Sequence, residues 1–207
     1  MSDRTLVLAT RNRGKITELR ELLSGFDITI KWLDDFGPIP EAEEDGRTFE
    51  ENAYKKASFT AKALGVPALA DDSGLVVRAL NGSPGVLSAR YAGEHASDEE
   101  RYNKLLKKME GKADRRAWFE CAIVIALPTG ASMTFTGRCE GEITFQPLGN
   151  DGFGYDPIFL YPPLKRTFAQ IPIEEKNKIS HRGKAMARLR EKFSMVLKWI
   201  EEEGKIK

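Results

Sequence analysis

Cysteine and histidine are nearly missing from this chain, with two of each in 207 residues. So small a supply excludes a disulfide scaffold and a Cys/His zinc cluster of ordinary spacing, which leaves oxygen as the only ligand type for a metal. Cys121 and Cys139 lie symmetrically about Gly130, so a hairpin there could set them opposite each other. The plainer expectation is two small buried hydrophobes in a reducing compartment. Long apolar runs are absent too: nothing approaches the ~18 residues of a membrane span, and no export-type apolar segment opens the chain. A cytoplasmic protein with no membrane partner is expected. Neither sign of charge dominates, since 32 basic and 31 acidic residues leave a net charge of +1. That balance argues against nucleic acid as the partner but leaves a small anion open. With no repeat, linker or low-complexity stretch, residues 1–207 are expected to form one domain.

What is present reads as α/β. Thr5–Ala9 is a continuous apolar run of the kind buried on both faces of a sheet, and a helix follows with Ile16, Leu19, Leu22 and Leu23 on one side. Ile28–Leu33 reads as a second strand, completing a βαβ opening with a parallel pair. Thr48 and Glu51 form a capping box before a helix that Gly65 and Pro67 end near Leu64. Ser97 and Glu100 form a second box, for a helix to about Met109. A short strand, Ala68–Ala70, leads into the turn-like Asp71-Asp72-Ser73-Gly74, and Leu75–Val77 leaves it. Ala117–Leu127 and Met133–Glu140 read as a hairpin about Gly130. Ile158–Tyr161 reads as a further strand, and Ala185, Leu189, Phe193, Val196 and Ile200 mark the buried stripe of a last helix. The expected architecture is a mixed β-sheet flanked by helices, in two lobes around a cleft.

Four segments could carry chemistry. Thr10-Arg11-Asn12-Arg13-Gly14-Lys15 sits where a strand hands over to a helix, a natural anion site, although a plain helix cap with a solvated lysine explains it as well. It is not a Walker A loop, having one glycine only. Asp71 and Asp72 put two carboxylates side by side; a hard cation such as Mg²⁺ would relieve their repulsion, and Glu44, with Glu41, Glu43 and Asp45, could complete its site. The alternative is a β-turn chosen for local hydrogen bonds. Phe153, Gly154, Tyr155 and Asp156 belong to a glycine-rich loop whose aromatics suit stacking on a flat ring, or simply fill the core beneath. Lys176, His181 and Arg182 gather near the start of the last helix, where anions are favoured. Singly, His181 is more often structural, and His95 has no nameable partner. Together the segments suit a nucleoside triphosphate with magnesium.

In this order the motifs resemble the inosine triphosphate pyrophosphatase family, the non-standard purine NTP pyrophosphatases. The likeness is carried by Thr10-x-Asn-x-x-Lys15, Thr48-Phe49-x-Glu-Asn52-Ala53, Ala70-Asp-Asp-Ser-Gly74, Pro84-Gly-x-x-Ser-Ala-Arg-Tyr91, Gly152-Phe-Gly-Tyr-Asp-Pro157 and Lys176-x4-His-Arg182. The departures are Gln170 in place of an acid, Arg78 in place of an aspartate, and Leu87 in place of an aromatic. The resemblance implies an elongated mixed sheet, an active cleft between two lobes, a homodimer, and hydrolysis of ITP, dITP or XTP to the monophosphate and pyrophosphate. It further implies that Glu44 and Asp72 bind Mg²⁺ and that Asp72, with Asp71 close by, accepts the proton of the attacking water. Thr10 to Lys15 and Lys176 would hold the triphosphate, while Ser73, Phe153 to Asp156, His181 and Arg182 would contact the nucleotide. A pyrophosphatase for other nucleotides and a non-catalytic nucleotide- or RNA-binding module remain the rival readings.

Overall fold

The computed structural model describes residues 4–40 and 42–203, so Glu41 of the acidic loop lies outside the described residues. Strand β1 (Thr5–Leu8) buries Leu6, Val7 and Leu8 completely, as a strand covered on both faces must. Helix α1 (Arg13–Leu22) returns the chain to β2 (Thr29–Trp32), which pairs with β1 in parallel, Leu6 beside Ile30. A 3₁₀ turn at Leu33–Phe36 ends that βαβ unit. Helix α2 (Phe49–Leu64) starts at Thr48, whose Oγ1 accepts from Glu51 N–H at 3.1 Å, and stops at Gly65 in the left-handed region. The expected box is displaced by one residue: the Glu51 carboxylate takes the N–H of Arg47 at 2.6 Å, not that of Thr48.

The next strand corrects the sequence reading. Ala68–Val77 is one ten-residue strand, β3, so Asp71, Asp72 and Ser73 sit in its middle and not on a turn. Turn-type residues are overruled there because apolar neighbours on both sides are buried in the sheet, and β3 pairs in parallel with β1. Helix α3 (Asp98–Lys108) has the complete Ser97/Glu100 box. Strands β4 (Arg116–Ala126) and β5 (Ser132–Ile143) follow, neighbours in the sheet joined by a turn in which Leu127 N–H meets the Ala131 carbonyl at 2.9 Å. Cys121 and Cys139 are both buried thiols outside any disulfide. Short strands β6 (Phe159–Tyr161) and β7 (Arg166–Thr167) complete an open sheet ordered β2-β1-β3-β4-β5-β6-β7, its last pairs antiparallel. The expected strand start at Ile158 is instead the end of a 3₁₀ turn, Asp156–Ile158. Helices α4 (Ile173–Ile179) and α5 (His181–Glu203) close the chain's described part, and α5 buries Ala185, Leu189, Phe193 and Val196 as its stripe predicts. The sheet is mixed and the architecture α/β, with helices flanking the sheet.

Two compact units emerge. One takes the chain through Asp72, then Ala122–Thr136, then everything from Ala185 onward. In it Val7, Ala61 and Ala68 pack with Leu33, Leu64 and Val66, and the rings of Phe26 and Phe193 meet edge-on at 4.8 Å. The other comprises Ser73–Cys121 and Gly137–Lys184. Its core is aromatic: Phe159 lies 4.6 Å from Phe119 and 4.8 Å from Phe168 between ring centres.

Candidate active site

In the first unit, helix α2 organises the acidic residues. Asn52 is buried on its inner face; its Oδ1 accepts from Gly46 N–H at 2.8 Å and its Nδ2 donates to Asp72 Oδ2 at 3.2 Å. Gly46 has to be glycine, because a Cβ there would lie 2.6 Å from Asn52 Oδ1 and 2.9 Å from Glu51 Cβ. One turn further along α2, Lys56 Nζ lies 3.0 Å from Glu44 Oε2 and 3.7 Å from Asp72 Oδ1. The two carboxylates expected to hold magnesium therefore face one shared cation. Lys55, the neighbouring lysine, pairs with Asp45, while Glu43 is exposed. Asn52 and Lys56 went unnoticed as site residues in the sequence, although their i, i+4 spacing places both on one helical face.

Asp71 is buried, and Lys15 Nζ meets its Oδ2 at 2.8 Å. The loop ahead of α1 is a cap as well: Asn12 Oδ1 accepts from Lys15 N–H at 3.2 Å and Thr10 Oγ1 accepts from Asn12 N–H at 3.1 Å. The cap reading is right, but its lysine is tied to Asp71 and not simply solvated. Arg11 turns aside, donating to the Ile39 carbonyl at 2.9 Å with its Nε 3.6 Å from Asp34, while Arg13 and Gly14 are exposed. A depression of about 510 Å³ on α2, lined by Asp45, Tyr54, Lys55 and Phe59 among others, includes none of Lys15, Asp71 or Asp72. That hollow is open and shallow, and the buried and half-buried carboxylates lie away from it.

In the second unit the glycine-rich loop is firmly held. Asp156 is buried and its Oδ2 accepts from Phe153 N–H at 2.9 Å and from the Lys176 ammonium. Burial raises the Asp156 carboxyl above the ordinary range even though Lys176 pulls the other way. Lys176 is buried as well and lies over the Phe153 ring at 4.7 Å, leaving that ring 71 % exposed. Gly154 N–H donates to Asp98 Oδ2 at 2.6 Å, and the Tyr155 hydroxyl donates to the Ser88 carbonyl at 2.9 Å. Burial pushes that phenol above its usual value. Ser180 receives Gly183 N–H at 3.1 Å at the start of α5, and the His181 ring stacks on Phe119 at 4.7 Å, with Arg182 beside it in the first turn. His95 is exposed.

The structure thus gathers Lys15, Glu44, Asp71 and Asp72 in one unit, and Phe153, Asp156 and Lys176 in the other. Ser73 follows them on β3. As for metal, among the described residues no three His, Cys, Asp or Glu side chains converge. Two carboxylates sharing an ammonium nonetheless fit Mg²⁺, which commonly takes one or two carboxylates and completes its shell with water and phosphate oxygens. The departures are accommodated: Gln170 Oε1 accepts from Thr167 N–H at 3.0 Å, Arg78 Nε stands 3.6 Å from Asp114, and Leu87 is exposed.

A dITP/XTP pyrophosphatase of Desulfotalea psychrophila is 54% identical over 197 residues, covering 95% of this chain and 88% of that protein. One of Syntrophobacter fumaroxidans is 53% identical, covering 97% and 86%. A solved HAM1 protein from Coxiella burnetii superposes with a TM-score of 0.89 at 45% identity, covering 92% of this chain and 98% of that one. Residues 6–192 match the Ham1 family, and the chain belongs to it.

Proposed function

We propose that this protein hydrolyses deaminated purine nucleoside triphosphates (ITP, dITP and XTP) to the monophosphate and pyrophosphate, cleansing the nucleotide pool. The observation that carries the reading is the sharing of one cation by Glu44 and Asp72, beside a capped helix N-terminus bearing Lys15. The names of the relatives point the same way.

In this reading Asp72 accepts the proton of the water that attacks the α-phosphorus, with Asn52 fixing its carboxylate. Asp71 serves as counter-ion to Lys15, setting that ammonium where the triphosphate arrives along with Thr10 to Gly14. Bound by Glu44 and Asp72, Mg²⁺ would supply charge neutralisation for the departing pyrophosphate. Phe153 offers its exposed face to the base, and Lys176, which contacts Asp156 and the Phe153 ring, is assigned to the base side in this reading instead of to the triphosphate. Phe153 N–H donates to Asp156 and Gly154 N–H to Asp98 on α3, so among the candidates His181, Arg182 and the loop N–H groups, His181 and Arg182 are taken as the donors toward the purine 6-oxygen. A donor there pairs with ITP and XTP and faces the amino group of ATP, a mismatch that buried polar sites reject strongly. A cytoplasmic homodimer is part of the same proposal; among the described residues no helix is long and apolar enough to cross a membrane.

The test is pyrophosphate release from ITP, XTP, GTP and ATP with and without Mg²⁺, alongside Asp72→Asn. Release from ITP and XTP alone, abolished by EDTA and slowed on the order of 10²–10³-fold in the variant, is expected. Equal rates on ATP and GTP would sink the base selectivity, and no release from any would sink the hydrolase.

A further inference from the structure

Lys56 stands where the acidic pair calls for a metal. Its side chain is 18% exposed, Asp72 is similarly sheltered, and its ammonium contacts both carboxylates. A divalent ion bound by the same two groups would come to nearly the same point, and two cations cannot share it: at 3–4 Å in a sheltered site their repulsion exceeds thermal energy severalfold. The lysine must leave when the metal enters. Its stem has four rotatable bonds and can swing, whereas Asp72 cannot follow, because Asn52 Nδ2 holds its other oxygen.

We propose that Lys56 is a tethered counter-ion that occupies the cation position between Glu44 and Asp72, is displaced by the divalent metal, and passes its charge to the substrate's phosphate. The proposal rests on the metal-assisted reading above. It gives Lys56 two consequences. Metal affinity is lowered in the absence of nucleotide, since the metal competes with a resident charge. It rises when a phosphate is present to receive the displaced ammonium, and by reciprocity the metal improves phosphate binding equally. The acidic pair is thereby kept neutralised in the empty protein and released only when both partners arrive.

Mn²⁺ binding to the full chain, followed by electron paramagnetic resonance with and without inosine monophosphate, tests this independently of turnover. Lys56→Met is expected to bind Mn²⁺ on the order of tenfold tighter than the parent without nucleotide, the loss of a charge-assisted contact being of that size. The gain in Mn²⁺ affinity that inosine monophosphate brings to the parent is expected to shrink in the variant, and Lys56→Arg to keep the parent's weak binding. Should Lys56→Met fail to fold, Lys56→Gln carries the same comparison. Mn²⁺ affinity equal to the parent's, or weaker, overturns the exchange while leaving the metal site standing. No Mn²⁺ binding by any form overturns the exchange and the metal half of the proposed function together.

Discussion

Replacing Lys176 by methionine isolates the energetics of the glycine-rich loop. The substitution keeps the volume of the stem and removes the charge that faces Asp156, with both side chains less than a tenth exposed. Breaking a buried pair from one side leaves an uncompensated carboxylate and costs about 3–5 kcal/mol. For a chain of 207 residues that lowers Tm by roughly 6–20 °C, at about 2–4 °C per kcal/mol. The loss should depend on pH with a definite sign. Burial already raises the Asp156 carboxyl, and without Lys176 it rises further. An acid raised on folding contributes its full stability below its unfolded value and loses it as pH climbs through the folded one. The deficit of Lys176→Met relative to the parent is therefore smaller at pH 5 than at pH 8. Adding Asp156→Asn removes the stranded charge while keeping an acceptor for Phe153 N–H, and should recover about 2–3 kcal/mol. Urea denaturation of the parent, Lys176→Met, Asp156→Asn and the double variant at pH 5, 6.5 and 8 reads all of this. A Lys176→Met deficit below about 1 kcal/mol, a deficit flat with pH, or no recovery in the double variant would refute the reasoning.

Gly46→Ala should be costly although the glycine's backbone is unexceptional: the added methyl meets Asn52, which Asp72 holds in place, and overpacking of this kind costs about 1–3 kcal/mol. The acidic loop should shift with it, so the Mg²⁺ concentration giving half-maximal pyrophosphate release is expected to rise; an unchanged midpoint and unchanged melting would contradict the close packing. Cys139 is buried and its thiol pushed up to about 11, so at pH 8 roughly one molecule in a thousand carries the thiolate. Iodoacetamide should leave Cys139 unmodified in the folded protein and label it on unfolding, as peptide mass mapping would show; rapid labelling under native conditions would contradict its burial.

Local chemistry made much of the fold legible. The Ser97/Glu100 box, the Gly65 stop and the spacing of Ala185, Leu189, Phe193 and Val196 each depend on neighbours a few residues away, and each appears as read. Asp71-Asp72-Ser73-Gly74 misleads because its local preference is a turn, while the sheet pairing and the lysine that settle it lie far off in sequence. The same limit hides the partner of Lys176, twenty positions away at Asp156, and the pairing of Lys56 with Glu44, which forms only once the acidic loop folds back on α2. Residue types announced that carboxylates and cations would matter; which cation meets which carboxylate is a tertiary fact.

The first compact unit is assembled from the two extremes of the described chain: Arg190 donates to the carbonyl of Leu22, 168 positions earlier, and Phe193 packs on Phe26. During synthesis this has a consequence. As the chain emerges from the ribosome, the stretch bearing Lys15, Asp71 and Asp72 appears early, yet its hydrophobic partner on α5 is made more than a hundred residues later. Early apolar surface must wait uncovered for many seconds at ordinary elongation rates. Nascent chains stalled before Ala185 should therefore be the ones that engage a chaperone, and the unit bearing Lys15 and Asp72 should mature last although most of it is translated first.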